Sequence, residues 1–270
     1  MKTILGLEQA APYPMDAMAV SDARALWAEH RACYGFKPLA PPMLTPPGAN
    51  RKLARAQAHG RRPTFGLTLA PAKLSGVNVC PWSGACVAIC VINRGNARYT
   101  SVQLARIART RFLLEQPRAA FVLMADELQR ATARLGPVLF RFNTGSDARP
   151  EILAPWLGDG TIKGLAGYDY TKRPASQRRN LGPYYRVIYS LGEGAASMRE
   201  ARRELANGGT VAIVLRLKRT EPMPTHWHGI PIVEDADIHD DRYNSPPGLI
   251  GLRAKGRAYY DATGFVHDPD

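Results

Sequence analysis

The chain has 270 residues, 45% of them hydrophobic and 22% charged, a composition that supports one core of barrel size and excludes a disordered chain. Its 36 Lys and Arg against 23 Asp and Glu give a net charge of +13, which points to a polyanionic partner such as nucleic acid through phosphate contacts and counterion release. No charged-then-apolar leader opens the sequence and no run of about 18 apolar residues occurs, so the expectation is a cytoplasmic protein with no membrane partner.

In chain order, the pattern predicts a first helix over 21–33, with Ala25, Leu26 and Trp27 set among charges. A proline-rich stretch over 38–47 follows, then a basic run of Arg51, Lys52, Arg55, Arg61 and Arg62, read as an extended arm that either contacts phosphates or is simply solvated. We place a boundary here, with residues 1–62 as helix and Pro/Arg-rich arm and residues 63–270 as the folded domain. A strand over 65–70 leads through 71–79 directly into a cysteine-rich loop. Thr100 and Gln103 form a capping-box pattern for a helix carrying Leu104, Ile107, Ala108 and Phe112, interrupted at Pro117. The next helix repeats Phe121, Met124, Leu128, Ala131 and Leu135 at helical spacing.

A short apolar strand over 138–142 then runs into the Asn143-Thr-Gly-Ser-Asp147 loop. Further strands are expected over 162–170, 184–191, 211–217, 230–233 and 249–253, and helices over 150–157 and 195–206, the latter stopped by Asn207-Gly208-Gly209. Strands alternating with helices imply parallel pairing and right-handed crossovers. The expected fold class is therefore α/β, as a full or incomplete (β/α) barrel, with a doubly wound sheet as the alternative.

Three of the four cysteines, Cys80, Cys86 and Cys90, fall within eleven residues. Core cysteines scatter as small hydrophobes and disulfides take cysteines in pairs, so a tight odd-numbered cluster points to metal, ahead of structural thiols or redox chemistry. Structural zinc uses four ligands as two close pairs, and no second Cys-x-x-Cys or His-x3-His pair exists here. Iron–sulfur clusters accept uneven spacing, and a four-iron cluster on three cysteines leaves one iron open. Cys33 could return as a fourth ligand, but a buried thiol on a helix flank is the plainer reading. A reducing compartment suits such thiolates.

In a barrel, sites gather in the loops that follow the strands. Those loops carry the three cysteines, then Asn143, Thr144, Gly145, Ser146 and Asp147, then Asp169, Tyr170, Thr171 and Lys172, then Ser190 and Glu193, with Asp235, Asp237, Asp240 and Lys255 later. Turn and capping chemistry is the competing explanation for each. His226 and His228 flank Trp227 at strand-like spacing, His239 sits in an acidic run, and His30, His59 and His267 are isolated. They read mostly as surface or loop residues, with one metal ligand among them left open.

A cysteine loop after the first strand and a Gly-Ser-Asp turn after the second together resemble the radical S-adenosylmethionine enzymes. That resemblance implies a 4Fe-4S cluster on Cys80, Cys86 and Cys90, with S-adenosylmethionine held by Asn143, Gly145, Ser146 and Asp147. The cysteine spacing departs from that family, with five and three intervening residues here where three and two are usual. A closer resemblance, from about Asn50 onward, is to a bacteriophage family called gene product 88. It is carried by Gly66-Leu-Thr-Leu-Ala-Pro-Ala72, Ser75-Gly-Val-Asn-Val-Cys-Pro81 with Cys86 and Cys90, Arg141-Phe-Asn-Thr-Gly-Ser-Asp147, Tyr168-Asp-Tyr-Thr-Lys172 and Gly248-Leu-Ile-Gly-Leu-Arg-Ala-Lys-Gly256. It implies a phage or prophage setting and one fold that unites these loops.

The expectation is thus an iron–sulfur protein. In its enzyme form a carbon radical is generated at the cluster, and Tyr170, Lys172 and Lys255 face an anionic nucleotide or nucleic-acid substrate. The alternative is a non-catalytic, metal-stabilised nucleic-acid-binding module. A third reading is a nuclease that holds a divalent metal on Asp235, Asp237 and Asp240.

Overall fold

Short apolar segments separated by helices or long loops return in the same direction, and the main sheet is built from such segments. The computed structural model describes residues 18–49, 61–90, 92 and 95–270. Its strands are β1 (Thr64–Gly66), β2 (Val138–Arg141), β3 (Leu165–Thr171), β4 (Tyr185–Ser190), β5 (Thr210–Leu215), β6 (His226–Trp227), β7 (Ile230–Asp235) and β8 (Gly248–Arg253). They form one eight-stranded sheet in the order β1-β2-β3-β4-β5-β8-β7-β6. Every pairing is parallel except that of β6 with β7. The α-helices among the described residues are α1 (Val20–Ala32), α2 (Thr100–Glu115), α3 (Pro117–Leu135), α4 (Pro150–Leu153) and α5 (Gly194–Ala206).

The pleat sends alternate residues to opposite faces. Phe65, Val138, Phe140 and Leu165 pack with Phe112, Phe121 and Leu128 of α2 and α3, while Tyr189, Val211 and Ile213 pack with Ala201 of α5. Leu139, Tyr168, Ile188, Ala212 and Ile250 face the other way, against Ala236 and Tyr243 from the segment between β7 and β8. Five strands wound in sequence with these helices on one face make an α/β wall. Closure into a full barrel is absent among the described residues, because the sheet ends at β1 and β6. The free edge of β1 is taken by Thr45, whose N–H and C=O both bond Gly66 at 2.7 and 3.0 Å.

Most predicted elements form close to their expected places, with informative exceptions. The break between α2 and α3 falls at Pro117, as a ring without an N–H requires. The expected capping box does not form: the N-cap of α2 is Tyr99, with no side-chain cap bond. The region over 150–157 is a four-residue helix followed by a 3-10 turn, Pro155–Leu157, separated at Ala154. The β6–β7 hairpin turns on His228 and Gly229, both at positive φ (48° and 75°), in the manner of a tight two-residue turn.

The end of the proline-rich arm is threaded into the main core. Trp27 donates its indole N–H to Pro41 O at 2.9 Å, and Met43 and Leu44 are buried with β1 and β2. Arg51, Lys52, Arg55 and His59 lie outside the described residues; Arg61 and Arg62 are exposed. No described helix is long and apolar enough to cross a membrane.

One carboxylate adds to this anchoring of the arm. Glu127 of α3 accepts the N–H groups of Met43 and Leu44 at 2.7 and 2.9 Å. Glu127→Ala is predicted to leave both amides unpaired and to cost about 2–6 kcal/mol, at about 1–3 kcal/mol per orphaned buried donor. Urea unfolding should show a lower midpoint with an unchanged slope, and Glu127→Gln, which keeps one acceptor, should lose roughly half as much.

Candidate metal centre

The loops after β1, β2, β3 and β4 leave the sheet at one end, and hydrogen bonds tie them together there. After β1 the chain runs through Leu67 and Ala70, and Val79 N–H closes the approach on Ala72 O at 3.0 Å. The Asn78 side chain accepts Cys80 N–H at 3.0 Å, a local turn that starts the cysteine loop. A 3-10 turn, Gly84–Val87, carries Cys86. Gly84 sits at φ +50°, and a Cβ there would collide with the Glu193 carboxylate, so this position requires glycine. Glu193 itself accepts Ala85 N–H at 2.8 Å, joining the cysteine loop to the loop after β4.

Cys80, Cys86 and Cys90 are all free and all partly buried. Cys86 and Cys90 lie near enough to Cys80 to raise its thiol, and Cys90 near enough to Cys86 to do the same there. Burial, with Asp147 and the neighbouring thiols adding to it, pushes the Cys80 thiol up to about 12, and its Sγ–H donates to Gly145 O at 3.8 Å. Burial also raises Cys86, with the Lys172 ammonium opposing it. Among the described residues no group of three or more His, Cys, Asp or Glu is closed around a common point in a metal-holding arrangement. The donor set nonetheless suits a soft metal: three thiols on one loop, neighbours yet unpaired by disulfide. Cys33 lies apart, at the C-cap of α1. It is exposed where a buried thiol was expected, and its Sγ–H points back to Glu29 O at 3.7 Å.

The Gly-Ser-Asp turn stands directly against this loop. A Cβ on Gly145 would lie 2.7 Å from Ile92. Asp147 donates its N–H to Val79 O at 2.8 Å, and its carboxylate accepts Thr171 Oγ1 at 2.6 Å and Lys172 N–H at 3.1 Å. Burial lifts the Asp147 carboxyl above its ordinary value, with those donors and Arg173 opposing the rise. Asn143 and Ser146 serve the turn itself. The Asn143 amide donates to Ala148 O and to Asp169 at 3.1 and 2.9 Å, and its oxygen accepts Ser146 Oγ and Ala148 N–H at 2.7 and 2.8 Å. Beneath it, buried Asp169 also accepts Asn143 N–H and the Tyr185 hydroxyl at 2.7 and 2.6 Å.

Of Tyr170, Lys172 and Lys255, Lys172 is the one brought to the cysteines. Its Nζ donates to Leu191 O at 3.4 Å and stands 4.2 Å from the centroid of the Phe265 ring. Burial lowers its pKa, while Cys86, Glu193 and Asp147 support the charge. Tyr170 points to the opposite face of the sheet, where the Arg141 guanidinium stands 4.9 Å from its ring. Lys255 pairs with Asp237 at 2.6 Å.

The three acidic residues read as a divalent-metal site do not form one. Asp235 pairs with Arg253 at 2.8 Å, Asp237 with Lys255 and also with Arg253 at 3.6 Å, and Asp240 with Arg141 at 3.2 Å, so each carboxylate is met by a cation of the chain. His30 bonds Ala108 O at 3.0 Å within a ring cluster of Trp27, Tyr34 and Phe112. His228 pairs with Asp270 at 3.2 Å, His239 lies 3.7 Å from Glu234, and His226 is exposed.

His267 is the residue that sequence reasoning missed. The C-terminal segment runs beside β5 beyond its pairing with β4: His267 N–H bonds Val214 O at 2.9 Å and Arg216 N–H bonds His267 O at 2.8 Å. This seats Phe265 and Val266, with Ala258, on Ala85, Cys86 and Ile89. The imidazole packs edge-on to Trp227 at 5.2 Å, and its pKa is lowered by burial and by Lys172. The apolar Phe265-Val266 pair ahead of His267 was the available signal, too short to read as a strand.

The family model described as gene product 88 matches residues 43–269, most of the chain, and the chain belongs to that family. The match begins at Met43, where the arm enters the core. Comparison with curated proteins and with solved structures returned no match.

Burial pushes the Asp169 carboxyl up to about 7, against donors that favour its ionised form. An unfolded aspartate titrates near ~4, so between these values the folded state holds a proton the unfolded state has released. Stability contributed by this group is therefore present below ~4 and falls as pH rises to about 7. The stability difference between wild type and Asp169→Asn, from urea unfolding, should shrink or reverse as pH rises from about 5 to about 8. A difference independent of pH would show that Asp169 titrates at an ordinary value.

Proposed function

We propose that this member of the gene product 88 family carries an iron–sulfur cluster on Cys80, Cys86 and Cys90, at the strand-end mouth of an incomplete β/α barrel, in a phage or prophage setting. The observation that carries the reading is the set of three free, partly buried, neighbouring thiols in the loop after β1. Burial raises the Cys80 and Cys86 thiols, with the Lys172 ammonium offsetting only part of the rise at Cys86, and a metal would supply the further positive charge that lets such thiols ionise. When bound, a four-iron cluster on three thiolates supplies one-electron chemistry and one iron open to a further ligand.

The chain's own residues have definable parts in this reading. Lys172 places a cation beside Cys86 and balances part of the thiolate charge. Glu193 holds the 3-10 turn that presents Cys86, and Phe265 and Val266 keep water from its flank. The Gly145-Ser146-Asp147 turn is the candidate S-adenosylmethionine subsite by its position after β2. Within it Asn143 and Ser146 act as positioning residues, since their polar groups are engaged inside the turn.

A second reading, a metal-stabilised binding module without turnover, draws on the number of bonds that fix this loop to its neighbours. The two separate on what S-adenosylmethionine does. In the enzyme reading it perturbs the electron paramagnetic resonance spectrum of the reduced cluster, and reductant yields 5′-deoxyadenosine; in the module reading neither occurs.

Anaerobically reconstituted protein should be brown and contain iron and sulfide in equal amounts. Cys86→Ala should lose bound iron, and Cys33→Ala should retain it. Colourless protein holding zinc after reconstitution, or full iron content in Cys86→Ala, would sink the ligand assignment.

A further inference from the structure

Two large aromatic side chains are left in solvent, one on the turn that packs with the cysteine loop and one on the turn that follows that loop in sequence. Tyr260 is 81% exposed and Tyr99 64% exposed. Tyr260 ends the 3-10 turn Gly256–Tyr260 that follows β8, and Ala258 of that turn packs with Cys86 and Ile89 of the cysteine loop. The turn is held from below by Arg216, which donates to Tyr259 O at 2.5 Å and Asp261 O at 2.9 Å. The Tyr259 ring meets Tyr260 edge-on at 5.4 Å. Tyr99 is the N-cap of α2, at the end of the turn Gly95–Arg98 that leaves the cysteine loop. Each tyrosine has an exposed arginine nearby in sequence, Arg257 and Arg98.

Leaving aromatic area in water forgoes burial that a mobile side chain on a yielding loop would gain by folding back. An exposed aromatic ring with a cation close in sequence is instead an element from which single-strand platforms are built: the ring stacks a base and the cation meets the phosphate. The net charge of +13 supplies the complementary field. A duplex offers no free base face to such rings.

We propose that this surface binds single-stranded nucleic acid, with Tyr260 and Tyr99 stacking bases and Arg257 and Arg98 contacting phosphates, so that the strand passes over the cysteine loop. The proposal rests on that loop being the functional centre, and it names the partner of that centre. The site lies on the folded domain, separate from the basic arm.

Fluorescence anisotropy with labelled oligothymidylate tests it, on the full-length protein before and after anaerobic reconstitution, with iron measured in parallel. Wild type should bind the single strand more tightly than a duplex of the same length. Tyr260→Ala should weaken single-strand binding about tenfold, the size of one base–aromatic stack removed. That residue's exposure leaves the fold intact. Arg98→Gln with Arg257→Gln should reduce the log–log salt slope by about 0.7 for each phosphate that is no longer neutralised on a single strand. Absence of binding, a preference for duplex, or wild-type affinity in both Tyr260→Ala and Tyr99→Ala would overturn the proposal. Binding that depends on Tyr260 in protein that never takes up iron would overturn the cluster assignment alone.

Discussion

The candidate site depends on Asp147. Its N–H reaches back to Val79 at the entrance of the cysteine loop, and its carboxylate accepts the Thr171 hydroxyl and the Lys172 N–H beyond β3. Loops after three consecutive strands are thus joined through one buried residue. Each bond to the carboxylate offsets part of the cost of burying it, and charge-assisted bonds are stronger than neutral ones. The neighbouring Asn143 network repeats the device one layer lower, where Asp169 gathers β2, β3 and β4 through Asn143 and Tyr185. Parallel strands alone would leave their loops free to diverge. Two buried carboxylates stacked at the strand ends give them a common origin.

The cysteine loop is bound on its other side by apolar contact. Phe265 lies under the Lys172 ammonium, and Val266 and Ala258 pack on Cys86. This cover exists because the C-terminal segment pairs with β5 past the point where β4 has ended, filling a gap in the sheet. Lys172 therefore has an aromatic face, a carbonyl and nearby carboxylates around it, which keep a cation tolerable beside thiols despite burial.

What the sequence revealed follows from which signals are local. The apolar periodicity of α3, the ring of Pro117 and the five parallel strands that wind in sequence were legible because each needs only its own neighbours. The proximity of the cysteine loop to Asp147 and Lys172 was legible through the rule that parallel strands collect their loops at one end. His267 was not, since its position depends on a gap between β4 and β5 that no local pattern encodes. The acidic run misled because Asp235, Asp237 and Asp240 look alike in sequence, whereas their partners Arg253, Lys255 and Arg141 come from two different strand regions. The Thr100–Gln103 pattern failed as a cap because α2 starts one residue earlier than that box requires, with Tyr99 in the N-cap position.

The face of the sheet away from the helices is closed, and this decides the direction of access. Arg141 is buried there and paired with Asp240 of the segment that joins β7 to β8, and Arg242 of that segment is buried and paired with Glu234 of β7. Arg242 also bonds the carbonyls of Ala236 and His239, so the segment is folded on itself around one guanidinium. Opening that face would strand two buried guanidinium groups, and separating one partner of a buried pair costs about 3–5 kcal/mol. A ligand arriving at the cysteines does not come through the sheet's inner face. It meets the strand-end loops, where Lys172 is partly buried, Tyr99 and Tyr260 stand exposed, and the short C-terminal segment and its neighbouring turn pack with Cys86.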